Sequence, residues 1–316
     1  IIRGRDNKYK SAVEPFMYDQ MSPANKEQMS VLLGSIWEHM LNGIAKERNL
    51  TVAQLQNAAD KLISADLSAA KEAGLIDGLV YQDQFDEMIR QRLELDAKKK
   101  LNYLSLSDYA STVTRKLVKS KDKVAVIYAV GAINQGEGDD ENIGSDRIAA
   151  AIKEARMDST IKAIVLRVNS PGGSALASEV ILREMILAKE AKPVVVSMGD
   201  LAASGGYYIA CMADVIVAQE NTITGSIGVF GMVPNIKGLM NNKLGVTFDG
   251  VQTAENSGTM TINKPMNEYQ KTVIQREVIR IYDTFLGHVS KGRNMTVAQV
   301  DSIAQGRVWT GTDALE

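Results

Sequence analysis

Apolar positions before residue 96 recur at helical spacing. Following Ser22 and Pro23, one stripe contains Met29, Leu32, Leu33, Ile36, Met40 and Ile44. Proline is tolerated at the first position of a helix, and residues three and four positions apart share one helical face. The pattern therefore predicts a long helix that begins near Pro23 and turns this stripe toward a core.

From residue 123 the pattern changes to short β-branched runs that alternate with helical stretches. Strands are indicated at residues 124–130, 161–168, 193–197 and 215–218, and helices at 145–156 and 175–191. Such alternation is typical of a largely parallel sheet whose strands are connected by crossover helices. The sequence therefore predicts an α/β fold for this part of the chain.

A ten-residue segment that occurs twice indicates an internal repeat. Residues 46–55, Lys-Glu-Arg-Asn-Leu-Thr-Val-Ala-Gln-Leu, return at 291–300 as Lys-Gly-Arg-Asn-Met-Thr-Val-Ala-Gln-Val, with seven identical positions. In both copies a threonine precedes a glutamine by three residues, which is the spacing of a helix-capping box. Each copy is therefore expected to end one helix and begin another.

The repeat divides the chain into three parts. Residues 1–95 are the C-terminal, mostly helical part of a first repeat, 96–122 are a polar and basic linker, and 123–316 are a second repeat with an α/β core and a helical extension. At the offset of 245 positions between the copies, about 123 residues equivalent to the start of the second repeat should precede Ile1. We therefore expect the parent protein to extend beyond both ends of this sequence.

The composition excludes several classes of function. The 316 residues include 36 Lys and Arg against 38 Asp and Glu, so the formal net charge of −2 gives no overall attraction to nucleic acid. Cys211 is the single cysteine and can form neither an intramolecular disulfide nor a thiolate metal cluster. No apolar run reaches the ~20 residues that a membrane-spanning helix needs.

Three turns rich in small residues interrupt the α/β segment. Residues 169–174, Asn-Ser-Pro-Gly-Gly-Ser, follow a strand and open a helix, so their backbone N–H groups can face an anion or oxyanion. Residues 201–207, Leu-Ala-Ala-Ser-Gly-Gly-Tyr, place Ser204 among small side chains, and Ser226 lies in a third turn at 222–228. Ser204 is either a nucleophile or a helix N-cap, and the turn alone does not separate these roles.

A nucleophilic Ser204 would need a proton acceptor, and the candidates are few. His39 and His288 are the two histidines, and they do not occupy equivalent positions of the repeat, so a Ser/His/Asp triad has weak support. A lysine can act instead if desolvation lowers its pKa from ~10.4 toward 7 or 8. Chemistry alone does not identify which lysine this would be.

Four motifs together carry a resemblance to a known family. They are residues 169–174, residues 202–207, residues 224–228 (Thr-Gly-Ser-Ile-Gly) and residues 8–16 (Lys-Tyr-Lys-Ser-Ala-Val-Glu-Pro-Phe). In combination they resemble the signal peptide peptidase A (protease IV) family, in its double-length bacterial form with two fused halves. The resemblance implies a crotonase-like, Clp-protease-like α/β core with a parallel sheet and crossover helices.

The same resemblance implies a Ser/Lys dyad. Ser204 matches the nucleophile of the family and Lys10 matches its general base. At the repeat offset Lys10 corresponds to Glu255, and the next lysine after that position is Lys264, which favours a base supplied by the first half. The further positions that the family implies are Gly172, Gly173 and Gly205 as oxyanion-hole donors and Ser226 as the hydroxyl that orients the lysine.

The implied function is that of a serine endopeptidase without metal or cofactor. Its substrates would be cleaved signal peptides and other unfolded apolar peptides. The resemblance further implies a homo-oligomer, a tetramer in this family, held at the bacterial inner membrane by an anchor outside this sequence, with the catalytic body in the periplasm.

Two other functions remain open at the level of sequence. A crotonase-type acyl-CoA enzyme would use Gly172 and Gly173 to hold a thioester oxygen, although it leaves Ser204 unexplained. A non-catalytic assembly module on the same fold would use neither the glycine turn nor Ser204 for chemistry. Tyr207 and Tyr208 could line a substrate groove, but packing into the core is favoured.

Overall fold

The computed structural model describes residues 1–4, 7–96, 99–113, 120–258 and 260–316. These residues form two compact units, of which the larger combines Ile1–Ile36 with Asp122–Glu316 and the smaller is Trp37–Lys121. The first 36 residues thus pack with the α/β segment, so the compact units and the predicted repeats have different boundaries. The division into 1–95, 96–122 and 123–316 stays a prediction, and part of its linker lies outside the described residues.

The smaller unit is helical. Helix α1 (Pro23–Arg48) begins in the larger unit and ends in the smaller one. A 3-10 turn at Ile63–Ala65 precedes α3, and the helices after α1 are α2 (Val52–Asp60), α3 (Leu67–Glu72), α4 (Gln82–Arg92) and α5 (Leu106–Thr112).

A mostly parallel sheet forms the centre of the larger unit. Its strands are β2 (Lys123–Val130), β5 (Ile161–Ser170), β6 (Val194–Ala203), β7 (Val215–Val217), β8 (Ile223–Gly225) and β10 (Val308–Trp309). The order is β10-β8-β6-β5-β2, with β7 also paired to β6, and β10 is the antiparallel member. Two short pairs lie apart from it: β1 (Ile2–Arg3) with β9 (Phe230–Gly231), and β3 (Ala132–Asn134) with β4 (Asn142–Gly144).

Helices connect the strands as the alternating pattern predicts. They are α6 (Ser145–Met157), α7 (Ala175–Ala191), α8 (Gly205–Ala210), α9 (Lys237–Lys243), α10 (Glu268–Arg293), α11 (Val297–Ile303) and α12 (Gly311–Leu315). Because α6 and α7 lie in the crossovers between parallel strands, their apolar faces cover the sheet, and Ile152, Ile164 and Ile181 are fully buried. The α/β class with a parallel sheet and crossover helices is confirmed.

The internal repeat is also visible in local structure. Helices α1 and α10 both contain 26 residues, and at the offset of 245 positions their first and last residues coincide. The indole N–H of Trp37 donates to Gln56 (2.7 Å), and at the equivalent positions the hydroxyl of Tyr282 donates to Asp301 (2.6 Å). The predicted capping boxes are present at the starts of both α2 and α11.

Half of the stripe predicted as core on α1 is exposed, which corrects the sequence interpretation in part, since Leu32 is buried and Met29 and Ile36 are half-buried. Leu33, Met40 and Ile44 are 57%, 46% and 40% exposed, whereas the equivalent Val278, Phe285 and Val289 of α10 are buried. Phe285 and Val289 of α10 pack into the cluster that contains Tyr208 and Ile209. Periodicity identifies the apolar face of a helix but not whether another element covers it.

No described helix is both long enough and apolar enough to span a lipid bilayer.

The repeat-related helices allow a matched test of packing. Val289→Ala should lower the free energy of unfolding by about 2 kcal/mol, because it removes buried methyl groups and leaves a cavity. Ile44→Ala at the equivalent position of α1 should cost less than about 1 kcal/mol, since its side chain is partly solvated. Urea denaturation followed by circular dichroism measures both free energies of unfolding. Equal losses would contradict the description of this face as buried on α10 and exposed on α1.

Candidate active site

Ser204 lies at a sharp turn between β6 and α8. Its φ of 53° and ψ of −119° are unusual for a residue other than glycine, and such a conformation costs about 1–3 kcal/mol. Its main chain is fixed, because its N–H donates to the carbonyl of Gly225 (2.9 Å) and its carbonyl accepts from the N–H of Tyr208 (2.8 Å). The hydroxyl does not cap α8, so a simple N-cap role does not account for this serine.

The side chain of Lys10 meets Ser204 across 194 positions of sequence. Its Nζ lies 3.0 Å from Ser204 Oγ, 2.9 Å from Ser226 Oγ and 3.0 Å from the Ser226 carbonyl oxygen. Lys10 is 5% exposed, and burial lowers its pKa from 10.5 to about 8. Among the described residues no carboxylate forms an ion pair with it, so a large fraction of this amine is neutral near pH 8.

The segment that carries Lys10 is pressed against the loop before β10. The N–H of Tyr9 donates to the carbonyl of Gln305 (3.1 Å), and that of Lys10 donates to the carbonyl of Asn7 (3.2 Å). Gly306 has a φ of +84°, and a Cβ built there would lie 2.6 Å from Lys10 Cβ. Glycine is therefore required at 306 both by the backbone conformation and by the close approach of the lysine.

The predicted glycine turns lie beside Ser204. The N–H of Gly172 donates to Ser170 Oγ (3.1 Å), whereas the N–H groups of Gly173 and Gly205 have no partner among the described residues. A Cβ on Gly172 would lie 2.4 Å from the nitrogen of Gly205, so the two turns are in direct contact. Gly173 and Gly205 are thus the amides available to an incoming oxygen, and Gly172 provides the close packing.

A cavity of about 520 Å³ opens onto these groups. Lys10, Ser204, Gly173 and Gly205 line its polar end. Apolar walls come from β9 and α10 and from the loop before β9, through Val229, Phe230, Val278, Ile281 and Phe285. The arrangement can activate a hydroxyl, stabilise a negative oxygen and accept an apolar side chain in one place.

Tyr208, which lines the cavity, belongs to a polar cluster that sequence reasoning missed. The hydroxyl of Tyr208 donates to Glu179 Oε2 (2.5 Å), and His288 Nε2 lies 3.1 Å from the same oxygen. Burial and this hydrogen bond raise the pKa of Tyr208. Tyr208 is buried and also lines the cavity, so the two roles considered for it are compatible.

Neither histidine lines the cavity. The polar cluster could not be found from the sequence, because its residues are too far apart along the chain to form a motif. Within the described residues, no group of three or more His, Cys, Asp or Glu side chains could hold a metal ion. Ser204 and Lys10 are the candidate nucleophile and base because both line the cavity and their Oγ and Nζ atoms lie 3.0 Å apart.

The family model described as Peptidase family S49 matches residues 4–96 and 186–316. Protease 4 of Haemophilus influenzae is 40% identical over 319 residues, which cover 98% of this chain and 51% of that protein. Protease 4 of Salmonella typhi is also 40% identical, and the match covers 97% of this chain and 50% of that protein. The chain thus spans about half the length of these curated relatives.

A chloroplastic serine protease SPPA of Arabidopsis thaliana is 33% identical, with coverage of 98% of this chain and 46% of that protein. Among solved structures, a ClpP1 mutant from Listeria monocytogenes is similar with 14% sequence identity and a TM-score of 0.36. The match covers 60% of this chain and 84% of the ClpP1 chain. Because the family model matches well over half of the residues, this chain belongs to peptidase family S49.

Proposed function

We propose that this chain carries the active site of a serine endopeptidase with a Ser204/Lys10 dyad. The observation that carries the proposal is the 3.0 Å separation between the buried Nζ of Lys10 and Ser204 Oγ. A general base must lie within hydrogen-bond reach of the proton that it accepts and must be neutral at the working pH. The lowered pKa of Lys10, about 8, satisfies the second condition.

The proposed reaction is acyl transfer in two steps. Neutral Lys10 accepts the hydroxyl proton while Ser204 Oγ attacks the peptide carbonyl, and the N–H groups of Gly173 and Gly205 stabilise the oxyanion. Lys10 then gives the proton to the leaving amine, and an acyl-enzyme remains on Ser204. Water attacks this ester with Lys10 again as base, which releases the second product and restores the hydroxyl.

Ser226 has a supporting role in this mechanism. Its hydroxyl and carbonyl oxygens contact the amine of Lys10 from one side, which leaves Ser204 Oγ as the third neighbour. Two fixed acceptors limit the rotation of a flexible ammonium group and so direct the lone pair of the neutral amine toward the serine.

The apolar walls of the cavity support an apolar peptide substrate. Cleaved signal peptides and other unfolded apolar segments fit this chemistry, and one relative, from Enterococcus faecium, is named a putative signal peptide peptidase SppA (37% identity over 177 residues). The sequence resemblance extends the proposal to a homotetramer anchored at the bacterial inner membrane by a segment outside this sequence, with its catalytic body in the periplasm. An acyl-CoA enzyme would leave the buried Lys10 amine beside Ser204 without a use.

Removing either dyad member should abolish activity. Ser204→Ala and Lys10→Ala should each lower the cleavage rate of an unfolded apolar peptide by about 10⁴-fold or more, since nucleophile and base act as a unit. Ser204→Ala should also abolish labelling by a fluorophosphonate probe. Lys8→Ala is the matched control, because this exposed neighbour makes no contact with Ser204 and should retain full activity.

Circular dichroism should show all three variants folded. Normal cleavage by Lys10→Ala would disprove the dyad. A wild-type chain that the probe leaves unlabelled at Ser204 would instead favour the acyl-CoA enzyme or the assembly module.

The reaction should depend on pH through Lys10. Because its pKa is lowered to about 8, the neutral fraction rises about tenfold per pH unit below that value and levels off above it. The rate of probe labelling at Ser204, measured between about pH 6 and pH 10, should follow the same curve. A flat profile through the neutral range would exclude a lysine base.

Displacing Lys10 without removing it should also slow the reaction. Gly306→Ala places a methyl group against Lys10 and should lower the labelling rate at least about tenfold, through misplacement of the amine. Gly245→Ala is the control, since Gly245 also has a positive φ but no neighbour within 4 Å. Both variants should lose about 1 kcal/mol of stability from backbone strain, and Gly306→Ala should lose more because its methyl group also clashes with Lys10. Equal labelling rates would refute a role for the contact.

A further inference from the structure

A buried polar network surrounds the segment that carries Lys10. Gln28, in the second turn of α1, is 2% exposed, and its Nε2 lies 2.9 Å from the carbonyl oxygen of Tyr9 and 3.0 Å from Ser11 Oγ. These acceptors belong to the residues directly before and after Lys10. One side-chain amide therefore holds the chain on both sides of the lysine without contacting its amine.

The orientation of this amide follows from a carboxylate further along the network. Glu14 accepts hydrogen bonds from Ser22 Oγ (2.6 Å) and from Asn25 Nδ2 (3.0 Å). Since an ionised carboxylate can only accept, the NH₂ of Asn25 faces Glu14 and its oxygen faces Gln28. Gln28 Nε2 lies 3.2 Å from Asn25 Oδ1, so its two hydrogens are shared among three acceptors: this oxygen, the carbonyl of Tyr9 and Ser11 Oγ. Its NH₂ therefore points toward the lysine segment.

Glu14 remains ionised although it is buried. Burial by itself raises its pKa, but the hydrogen bonds from Ser22 and Asn25 and the nearby charge of Arg3 (3.9 Å) lower the pKa overall. The other charged groups around the segment are Lys8, Glu27 and Arg307, which contact the ring or hydroxyl of Tyr9 rather than Lys10. The ionised Glu14 therefore determines which groups of the network donate and which accept, and this direction does not change near neutral pH.

The carbonyl oxygen of the Gln28 side-chain amide contacts the edge of the sheet at β10. Gln28 Oε1 accepts from the N–H of Val308 (3.4 Å), the first residue of β10. Val308 is paired with Gly225 at the end of β8, and the next residue, Ser226, contacts the amine of Lys10. Gln28 thus connects the segment that carries the amine with the strand pair that presents its acceptors.

Lys10 needs such a connection because its own segment has little regular structure. It directly precedes the 3-10 helix Ser11–Phe16, and its N–H bond to Asn7 is long, at 3.2 Å. A buried amide whose hydrogen bonds are all made limits the conformations open to this segment. An unsatisfied buried amide would instead lower the stability of the fold.

We propose that Gln28, oriented by Asn25 and Glu14, is the positioning residue that keeps the amine of Lys10 at hydrogen-bond distance from Ser204 and Ser226. The inference rests on the proposed function, because positioning has a catalytic meaning only if Lys10 is the base. Gln28 neither lines the cavity nor contacts the reacting atoms, so its effect passes through the segment that carries Lys10 and through the strand pair that presents Ser226.

The test is Gln28→Met, which keeps the length and helix propensity of the side chain and removes its hydrogen bonds. We expect kcat for peptide cleavage to fall about 10- to 100-fold through misplacement of the base, with KM changed less than about twofold. The pH midpoint should rise, because a looser segment lets water reach the amine and returns its pKa toward 10.5. Activity should therefore recover partly at high pH.

Gln270→Met is the matched control. Gln270 is also buried near the start of a long helix, and its oxygen accepts from the N–H of Asn267 (3.0 Å), away from Lys10. It should lose stability without any change in kcat or in the pH midpoint. Gln28→Asn, which withdraws the amide by one methylene, provides a milder variant with an intermediate effect and decides the question if Gln28→Met does not fold.

A folded Gln28 variant with wild-type kcat and pH midpoint would overturn the proposal, as would the same changes in Gln270→Met. Lys10→Ala, assayed in parallel, separates the two levels of failure. If Lys10→Ala is inactive and the Gln28 variants are normal, only the positioning role is wrong. If Lys10→Ala is fully active, the proposed dyad itself is wrong.

Discussion

The hydrogen bond between Lys10 Nζ and Ser204 Oγ joins two parts of the chain that are 194 positions apart, and much of the larger unit serves to hold its two ends. Ser204 is fixed by a strained turn at the end of β6. Lys10 has no strand or long helix of its own, and is held by contacts from α1 and from the loop before β10. Burial is the condition under which this pair becomes chemically useful, since it lowers the pKa of the amine.

The sheet explains how one small region combines so many functional groups. Parallel strands bring their carboxyl ends to one edge, and the turns after β5, β6 and β8 supply Gly173, Ser204 and Ser226. Helix α10 covers this edge with apolar side chains and forms one wall of the cavity. The proposed catalytic groups and the proposed substrate pocket are therefore consequences of the same strand order.

Much of this arrangement could be predicted from the sequence, where the signal is local. The start of α1 at Pro23, the alternation of strands and helices, and the turns around Ser204 all follow from short patterns. Lys10 was identified through a family motif, because nothing local distinguishes a buried lysine from a solvated one. The exposure of Leu33 and the contacts of Gln28 and Glu179 could not be predicted, since each depends on partners distant in sequence.

The order of these groups along the chain has a consequence for biosynthesis. A ribosome makes Lys10 before Ser204, and the carbonyl of Gln305 that anchors Tyr9 after both. The proposed dyad therefore lacks one of its anchors on any nascent chain that does not yet include Gln305. A chain of this design would hold its proposed base in place only once the loop around Gln305 has been synthesised and has packed against Tyr9.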